Sequence, residues 1–498
     1  MQNHEKSATT LKSLAYTGVR WTTVSSVGRT VIQVMQVAVL ARLMAPAEFG
    51  KFAAAFAVIS VLRMFADGGV SNAVIHIREL SRNQLSSLYW LNCACGLAVA
   101  GLALAAAPLA VASFGETDMG PLLAMGAAYL FLGSTWQLLR TLSEKRLRFS
   151  TLAVVEILAA AAGFAASIVI AMHGGGAFAL MGGLLAGAAV SAGLAWIWLR
   201  AGWRPIFRFR TEDIRPFVSF GGYTMASDLI GTLNTQIDLL LGGRLLGAQN
   251  LGFYSATKNL CLQLIATTNP IVTRVGIPVI ATSQSDRPQI RLIYLKTLSM
   301  TAGVNFPAFV AIGLFAEPIV SLVFGEGWSQ AVPMLGVFAV WALLRSMINP
   351  VGSLLMGCGR ADLAFRWNLA WLPVYALAFL LAAQPGGLAL AGTQCALAVV
   401  ALPLSWYFLV RPLCDARLGE YVGTFVVPLV LSLVAGILAR LAASWFTHPV
   451  TQLAIGIPTG FAVYALLCAR FNRAWLLEVR DLVMPRRPSS EQIGATPR

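Results

Sequence analysis

Six basic residues fall inside stretches that are otherwise apolar: Arg20, Arg29, Arg63, Lys258, Arg274 and Arg345. A guanidinium can hold the oxygens of an anion through two parallel hydrogen bonds, whereas an ammonium acts as a point charge. Facing hydrocarbon at a bilayer centre, each would cost about 2.5–3.5 kcal/mol, so each needs water or a partner. The acids Asp67, Glu156, Asp228 and Asp238 lie in the same kind of stretch. Such carboxylates either pair with a basic residue or carry protons or sodium ions, and Asp238 and Glu156 are the candidates for ion coupling. Asp67 follows Arg63 by one helical turn and could simply neutralise it. Arg20 and Arg274 lie near the ends of their apolar runs, where long side chains can snorkel to the interface.

The elements that carry these groups read as long helices. Over residues 18–43, Thr22, Ser25, Ser26, Arg29, Gln33 and Gln36 recur at spacings of three and four, which puts them on one face. A short turn at Ala45-Pro46-Ala47 leads to a second apolar helix bearing Arg63 and Asp67. A polar stripe on a helix long enough to cross a bilayer fits a wall between lipid and a water-filled cavity.

Composition sets the class. With 57% hydrophobic residues and only 11% charged, the chain is too apolar for a soluble globular protein. Apolar runs of roughly 20 residues, enough to cross ~30 Å of hydrocarbon, follow one another almost to the end. No cleavable signal peptide is expected, because the first apolar run continues into a full span. The net charge of +15 would suggest nucleic acid in a soluble protein. Here most Lys and Arg fall in alternate connections, and only Arg42, Lys51, Arg244 and Arg440 fall at the opposite face. That asymmetry follows the positive-inside rule and places both ends in the cytoplasm. The seven cysteines form no paired CxxC array, so no disulfide framework, metal or other cofactor is expected.

The chain also repeats. ARLMAPAEFG at 41–50 overlies GRLLGAQNLG at 243–252 at an offset of 202, and Thr22, Ser25 and Thr30 match Thr224, Ser227 and Thr232. The stripe persists as Thr224, Ser227, Asp228, Gly231, Thr235 and Asp238, although Arg29 and Arg63 have no basic counterpart at Gly231 and Ile265. FGE recurs at 114–116 and 324–326, and the turn HGGGAF at 173–178 returns as QPGGLA at 384–389. The expected fold is an all-α integral membrane protein of about fourteen transmembrane helices, with two pseudo-symmetric six-helix lobes plus two C-terminal helices. Its segments are a tail at 1–17, a first lobe at 18–199, a basic inter-lobe linker at 200–216, a second lobe at 217–411, the last two spans at 420–471 and a tail at 472–498. Parallel repeats about an axis along the membrane normal are a transporter architecture, with the route between the repeats.

The repeat, together with ARLMAPAEFGKFAAAFAVISVLRMFADGGVSNAVI and GRLLGAQNLGFYSATKN, resembles the polysaccharide transport family over roughly residues 11–480. That family comprises Wzx-type flippases and capsule or exopolysaccharide exporters of the multidrug/oligosaccharidyl-lipid/polysaccharide superfamily. The resemblance implies movement of an undecaprenyl-diphosphate-linked oligosaccharide across the inner membrane, from the cytoplasmic to the periplasmic leaflet. On that basis Arg29 and Arg63 are expected to bind the diphosphate, with Arg20, Lys258 and Arg274 guiding it from the cytoplasmic side. Gln33, Gln36, Asn259 and Gln263 would line the cavity and meet sugar hydroxyls, unless they hydrogen-bond between helices. The expected partners are the lipid-linked oligosaccharide, membrane lipids and a polysaccharide polymerase with its export machinery, with no nucleic acid.

Three rivals stand beside this reading. A cation-coupled multidrug or metabolite antiporter of the related branch would need a cavity suited to cationic cargo. A membrane polymerase or ligase would need a sizeable outside loop or a catalytic cluster; His4, His76, His173 and His448 are scattered. A scaffold without transport is the third. The chain is therefore not expected to be an enzyme.

Overall fold

The computed structural model describes residues 2–66, 74, 80–200, 202–282, 286–382, 386–473, 475 and 476; within these helices, the side chains of 2–20, 216–224, 270–279 and 282 are not described. Among the described residues the regular structure is helical throughout. Twelve helices among the described residues are long and apolar enough to cross a membrane. Two more, α7 (Thr211–Leu245) and α8 (Gly247–Thr282), have the length but lie outside those twelve. They are the helices on which the sequence shows the second copy of the polar stripe, and the count of fourteen spans rests on them.

The chain packs as two compact units. The first comprises residues 1–263, 320–335 and 362–397; the second comprises 264–319, 336–361 and 398–498. In the first, α1 (Gln2–Leu43) and α2 (Pro46–Ala66) precede α3 (Arg82–Phe114), α4 (Met119–Lys145), α5 (Phe149–Met172) and α6 (Ala177–Leu194). Helix α3 packs on α4, α5 on α6, and α1 on α5. Local chemistry fixes the ends. Ser81 accepts from the Gln84 amide at 3.1 Å while the Gln84 side chain accepts from the Ser81 amide at 3.0 Å, a capping box that starts α3. Gly115, at φ 70°, ends it in the left-handed conformation that glycine adopts without penalty. Glu48, in the first turn of α2, reaches across to the start of α6, where its carboxylate accepts from the Ala177 amide at 2.7 Å.

The connection at 202–210 is pinned to this unit rather than left as a free tether. The Ser86 hydroxyl accepts from the Ile206 amide at 3.2 Å, Trp90 Nε1 donates to the Ile206 carbonyl at 2.9 Å, and Phe207 stacks on Trp90 at 4.7 Å. Trp203 joins the buried apolar cluster around Leu88, Tyr89, Leu138 and Val155.

Trp328, just past the second FGE turn, is a core residue. It is 1% exposed, stacks on Phe324 at 4.8 Å, and meets Phe49 and Phe253 edge-on at 5.2 and 5.5 Å. Its Nε1 donates to the Ala41 carbonyl at 3.2 Å. The indole thus fills the space beside both copies of the repeated turn, which excludes it from a lipid-facing belt.

In the second unit, α9 (Arg287–Leu314) packs on α15 (Leu418–Ala443), which packs on α16 (Pro449–Phe471). The short α10 (Ala316–Val323), then α11 (Ala331–Gly357), α12 (Ala361–Ala382), α13 (Gly387–Ser405) and the single turn α14 (Arg411–Cys414) complete the chain order, α12 and the first part of α13 belonging to the first unit. Tyr464 donates to the Gly303 carbonyl at 2.9 Å, and Gly436 leaves room for Val310 and Leu314. A π-helical turn follows α6 at Ala195–Leu199, and another follows α13 at Trp406–Val410. Their offset of 211 equals that of the glycine turns at 173–178 and 384–389, so the repeat extends to a shared irregularity of backbone.

Candidate functional site: an arginine-lined cavity

A cavity of about 870 Å³ opens within the first unit, walled by α1, α2, α4, α5, α6 and α7. Its charged lining comprises Arg29, Arg63, Arg140, Glu156 and Asp228. Three guanidiniums against two carboxylates leave a net charge of +1. The stripe on α1 reaches the cavity as its spacing predicts: Arg29, Gln33 and Gln36 all line it. Gln36 also donates to the Ser167 hydroxyl at 2.8 Å, which fixes the amide against α5.

Glu156 is the hub of one wall. Ser25 donates to its Oε2 at 2.8 Å, Arg29 Nη1 lies 3.5 Å from the same oxygen, and Arg140 Nη2 lies 3.5 Å from Oε1. The carboxylate is 11% exposed, against 37% for Arg29 and 31% for Arg140. Arg140 also donates through Nε to Glu144 at 3.1 Å and lies 5.8 Å over the Trp136 ring. Arg29 Nε is buried without a hydrogen-bond partner among the described residues.

Arg63 enters from α2. It donates to the Tyr129 hydroxyl at 3.0 Å and lies 5.9 Å from the centre of that ring. Its expected partner Asp67 lies outside the described residues. The side chain is exposed, so its guanidinium keeps most of its donors for another acceptor. Asp228, though it lies in an apolar stretch, is exposed and lines the cavity from α7.

The remaining predicted site residues are elsewhere. Lys258 is buried and tied to Asp238, its side chain 4% and that of Asp238 1% exposed. The ammonium also donates to the Thr235 carbonyl at 3.1 Å, and the Tyr254 hydroxyl bridges Asp238 and Gln394. Lys258 therefore does not join the cavity lining. Asn259 is exposed and Gln263 half-buried, and neither lines the cavity. Arg345 belongs to the second unit and lies 5.8 Å over Trp341. The side chains of Arg20 and Arg274 lie outside the described residues.

Arg140 also lines the cavity, although it opens the basic run 140–148 that the positive-inside pattern alone gives to a cytoplasmic connection. The signal was present: Arg140 and Glu144 form an i,i+4 pair, which extends α4 to Lys145 and carries Arg140 inward.

A multi-pass helical protein with an open, arginine-lined cavity inside its first helical unit has the build of a membrane transporter. A family model described as "Polysaccharide biosynthesis protein" matches residues 39–333. The chain belongs to that family. Teichuronic acid biosynthesis protein TuaB of Bacillus subtilis (strain 168) is 30% identical over 460 residues, covering 91% of this chain and 95% of that protein. Lipopolysaccharide biosynthesis protein WzxC of Escherichia coli (strain K12) is 30% identical over 425 residues, covering 85% and 86%. Among solved structures, lipid II flippase MurJ in an inward closed conformation superposes with a TM-score of 0.75 at 12% identity, covering 92% of this chain and 100% of that one. That likeness is one of fold.

Proposed function

We propose that the protein flips an undecaprenyl-diphosphate-linked oligosaccharide across the inner membrane by alternating access, with both termini in the cytoplasm. The observation that carries this reading is the convergence of Arg29, Arg63 and Arg140 on one cavity. Three guanidiniums near the path of a lipid suit a diphosphate, whose oxygens accept paired hydrogen bonds. Gln33 and Gln36 beside them offer donors and acceptors to sugar hydroxyls. The names of TuaB, a teichuronic acid biosynthesis protein, and WzxC, a lipopolysaccharide biosynthesis protein, support a glycan cargo. The name of MurJ, a lipid II flippase of similar fold, supports a lipid-linked one.

The lobes would divide at the linker 200–216 and rock against each other. Arg20 and Arg274 would act at the cytoplasmic approach. Coupling to an ion would run through Glu156 or Asp238, each of which is held by a cation of the chain itself. The excess of basic groups in the cavity disfavours a cationic cargo of the multidrug kind.

The test is flipping of a lipid-linked oligosaccharide by purified protein in proteoliposomes, comparing wild type with Arg29→Ala and Arg63→Ala. Each lost charge-assisted pair should slow flipping about ten- to a hundredfold. If both variants fold, insert and flip at the wild-type rate, the diphosphate assignment fails.

A further inference from the structure

Glu156 presents two cavity-facing arginines with an anion before any cargo arrives. Its two oxygens each serve one guanidinium, Arg29 through Oε2 and Arg140 through Oε1, both at 3.5 Å. A carboxylate that spans two guanidiniums occupies them much as two phosphate groups of one diphosphate would. The hold is loose. Charge-assisted pairs close to about 2.7–2.9 Å when the geometry suits, and both contacts here are well beyond that. Arg29 Nε is buried and left without an acceptor among the described residues, so the arginine has bonding capacity that Glu156 does not use. By contrast, the Ser25 hydroxyl holds Oε2 at 2.8 Å and anchors the carboxylate on the side away from Arg140.

We propose that Glu156 is a resident counter-anion for Arg29 and Arg140, displaced from them when the diphosphate of the cargo binds, so that cargo and carboxylate compete for one pair of guanidiniums. This rests on the cargo reading above. It also assigns Arg140 as a third diphosphate-binding residue. The arrangement has a functional sense: binding exchanges one ion pair for another instead of creating a new one. The diphosphate is then held no more tightly than release on the far side allows, and the empty cavity never holds two bare charges facing each other.

The sign of the Glu156 effect separates competition from support. If Glu156 competes, Glu156→Gln keeps the shape and removes the rival charge, so the full-length protein in nanodiscs should bind undecaprenyl diphosphate about two- to fivefold more tightly, the range for losing a part-exposed ion pair. Release and net flipping should slow accordingly. Ser25→Ala, which loosens the anchor of the carboxylate, should act in the same direction with a smaller change and serves if Glu156→Gln does not fold. Undecaprenyl monophosphate should respond less than the diphosphate, and undecaprenol not at all. Weaker or unchanged diphosphate binding in a folded variant would mean that Glu156 only orients the arginines, which overturns the competition. Wild-type protein that binds diphosphate and undecaprenol equally well would instead overturn the cargo reading, and this inference with it.

Discussion

Gly50 and Gly252 meet backbone to backbone in a reciprocal contact. A Cβ on Gly50 would lie 1.8 Å from the Ala248 carbonyl oxygen, and a Cβ on Gly252 would lie 1.8 Å from the Pro46 carbonyl oxygen. The two glycines are 202 residues apart, and so are the two residues whose carbonyls they face. The repeated turn motif therefore packs against its own copy within one unit, and each glycine is needed because the other copy of the motif leaves no room for a side chain.

Gly→Ala within a helix ordinarily stabilises by about 0.5–1 kcal/mol. Here the sign should reverse. Gly50→Ala or Gly252→Ala should each destabilise by about 1–3 kcal/mol through overpacking. Thermal unfolding in detergent reads this out, and an unchanged or raised midpoint would show that the contact opens without cost.

The Lys258–Asp238 pair is almost fully shielded from solvent. Asp238→Asn leaves a buried ammonium without its counter-charge and should cost about 3–5 kcal/mol. The double variant Asp238→Asn with Lys258→Met should recover most of that loss. Comparing the three unfolding midpoints checks it; a double variant no better than the single one would point to the Tyr254 and Gln394 contacts as the main support.

Arg140 offers a test of geometry against charge. Arg140→Lys keeps the charge but not the planar fork, so flipping should fall toward the Arg140→Ala level, about tenfold below wild type, if recognition is bidentate. Full activity in the lysine variant would reduce the residue to a point charge.

Glu48 joins the start of α2 to the start of α6 through the Ala177 amide. Removing that acceptor in Glu48→Ala should cost about 1 kcal/mol, as for a lost helix cap. Lys51 keeps Asp118 at 2.8 Å, so the loss should come from the cap and not from the ion pair. A paired Lys51→Met variant with little effect on its own would support that division.

Much of this protein is legible from its residues because the bilayer imposes a simple code. Apolar runs give the spans, and the spacing of Arg29, Gln33 and Gln36 places all three in the cavity without any coordinates. What the sequence does not supply is pairing at a distance. Asp238 and Lys258 are 20 residues apart on successive helices, and their mutual burial depends on how α7 meets α8. Glu156 reads as an ion-coupling candidate, its partners unnamed, because the two guanidiniums it meets come from α1 and α4. Arg140 reads as loop because a basic run near an expected span end follows the positive-inside pattern as well as it extends a helix.

The place of residues 320–335 in the first unit bears on how the protein can be made and divided. Phe49 and Phe253 close on Trp328, the Ala41 carbonyl receives its indole proton, and Arg42 donates to the Leu322 carbonyl at 2.6 Å. A ribosome that has delivered every helix up to α8 has still not supplied the wedge those residues await. Neither half obtained by cutting at residues 200–216 contains both the socket and its plug. Separate expression of the two halves would yield a first piece with an aromatic hole at one end, which only the later chain can fill.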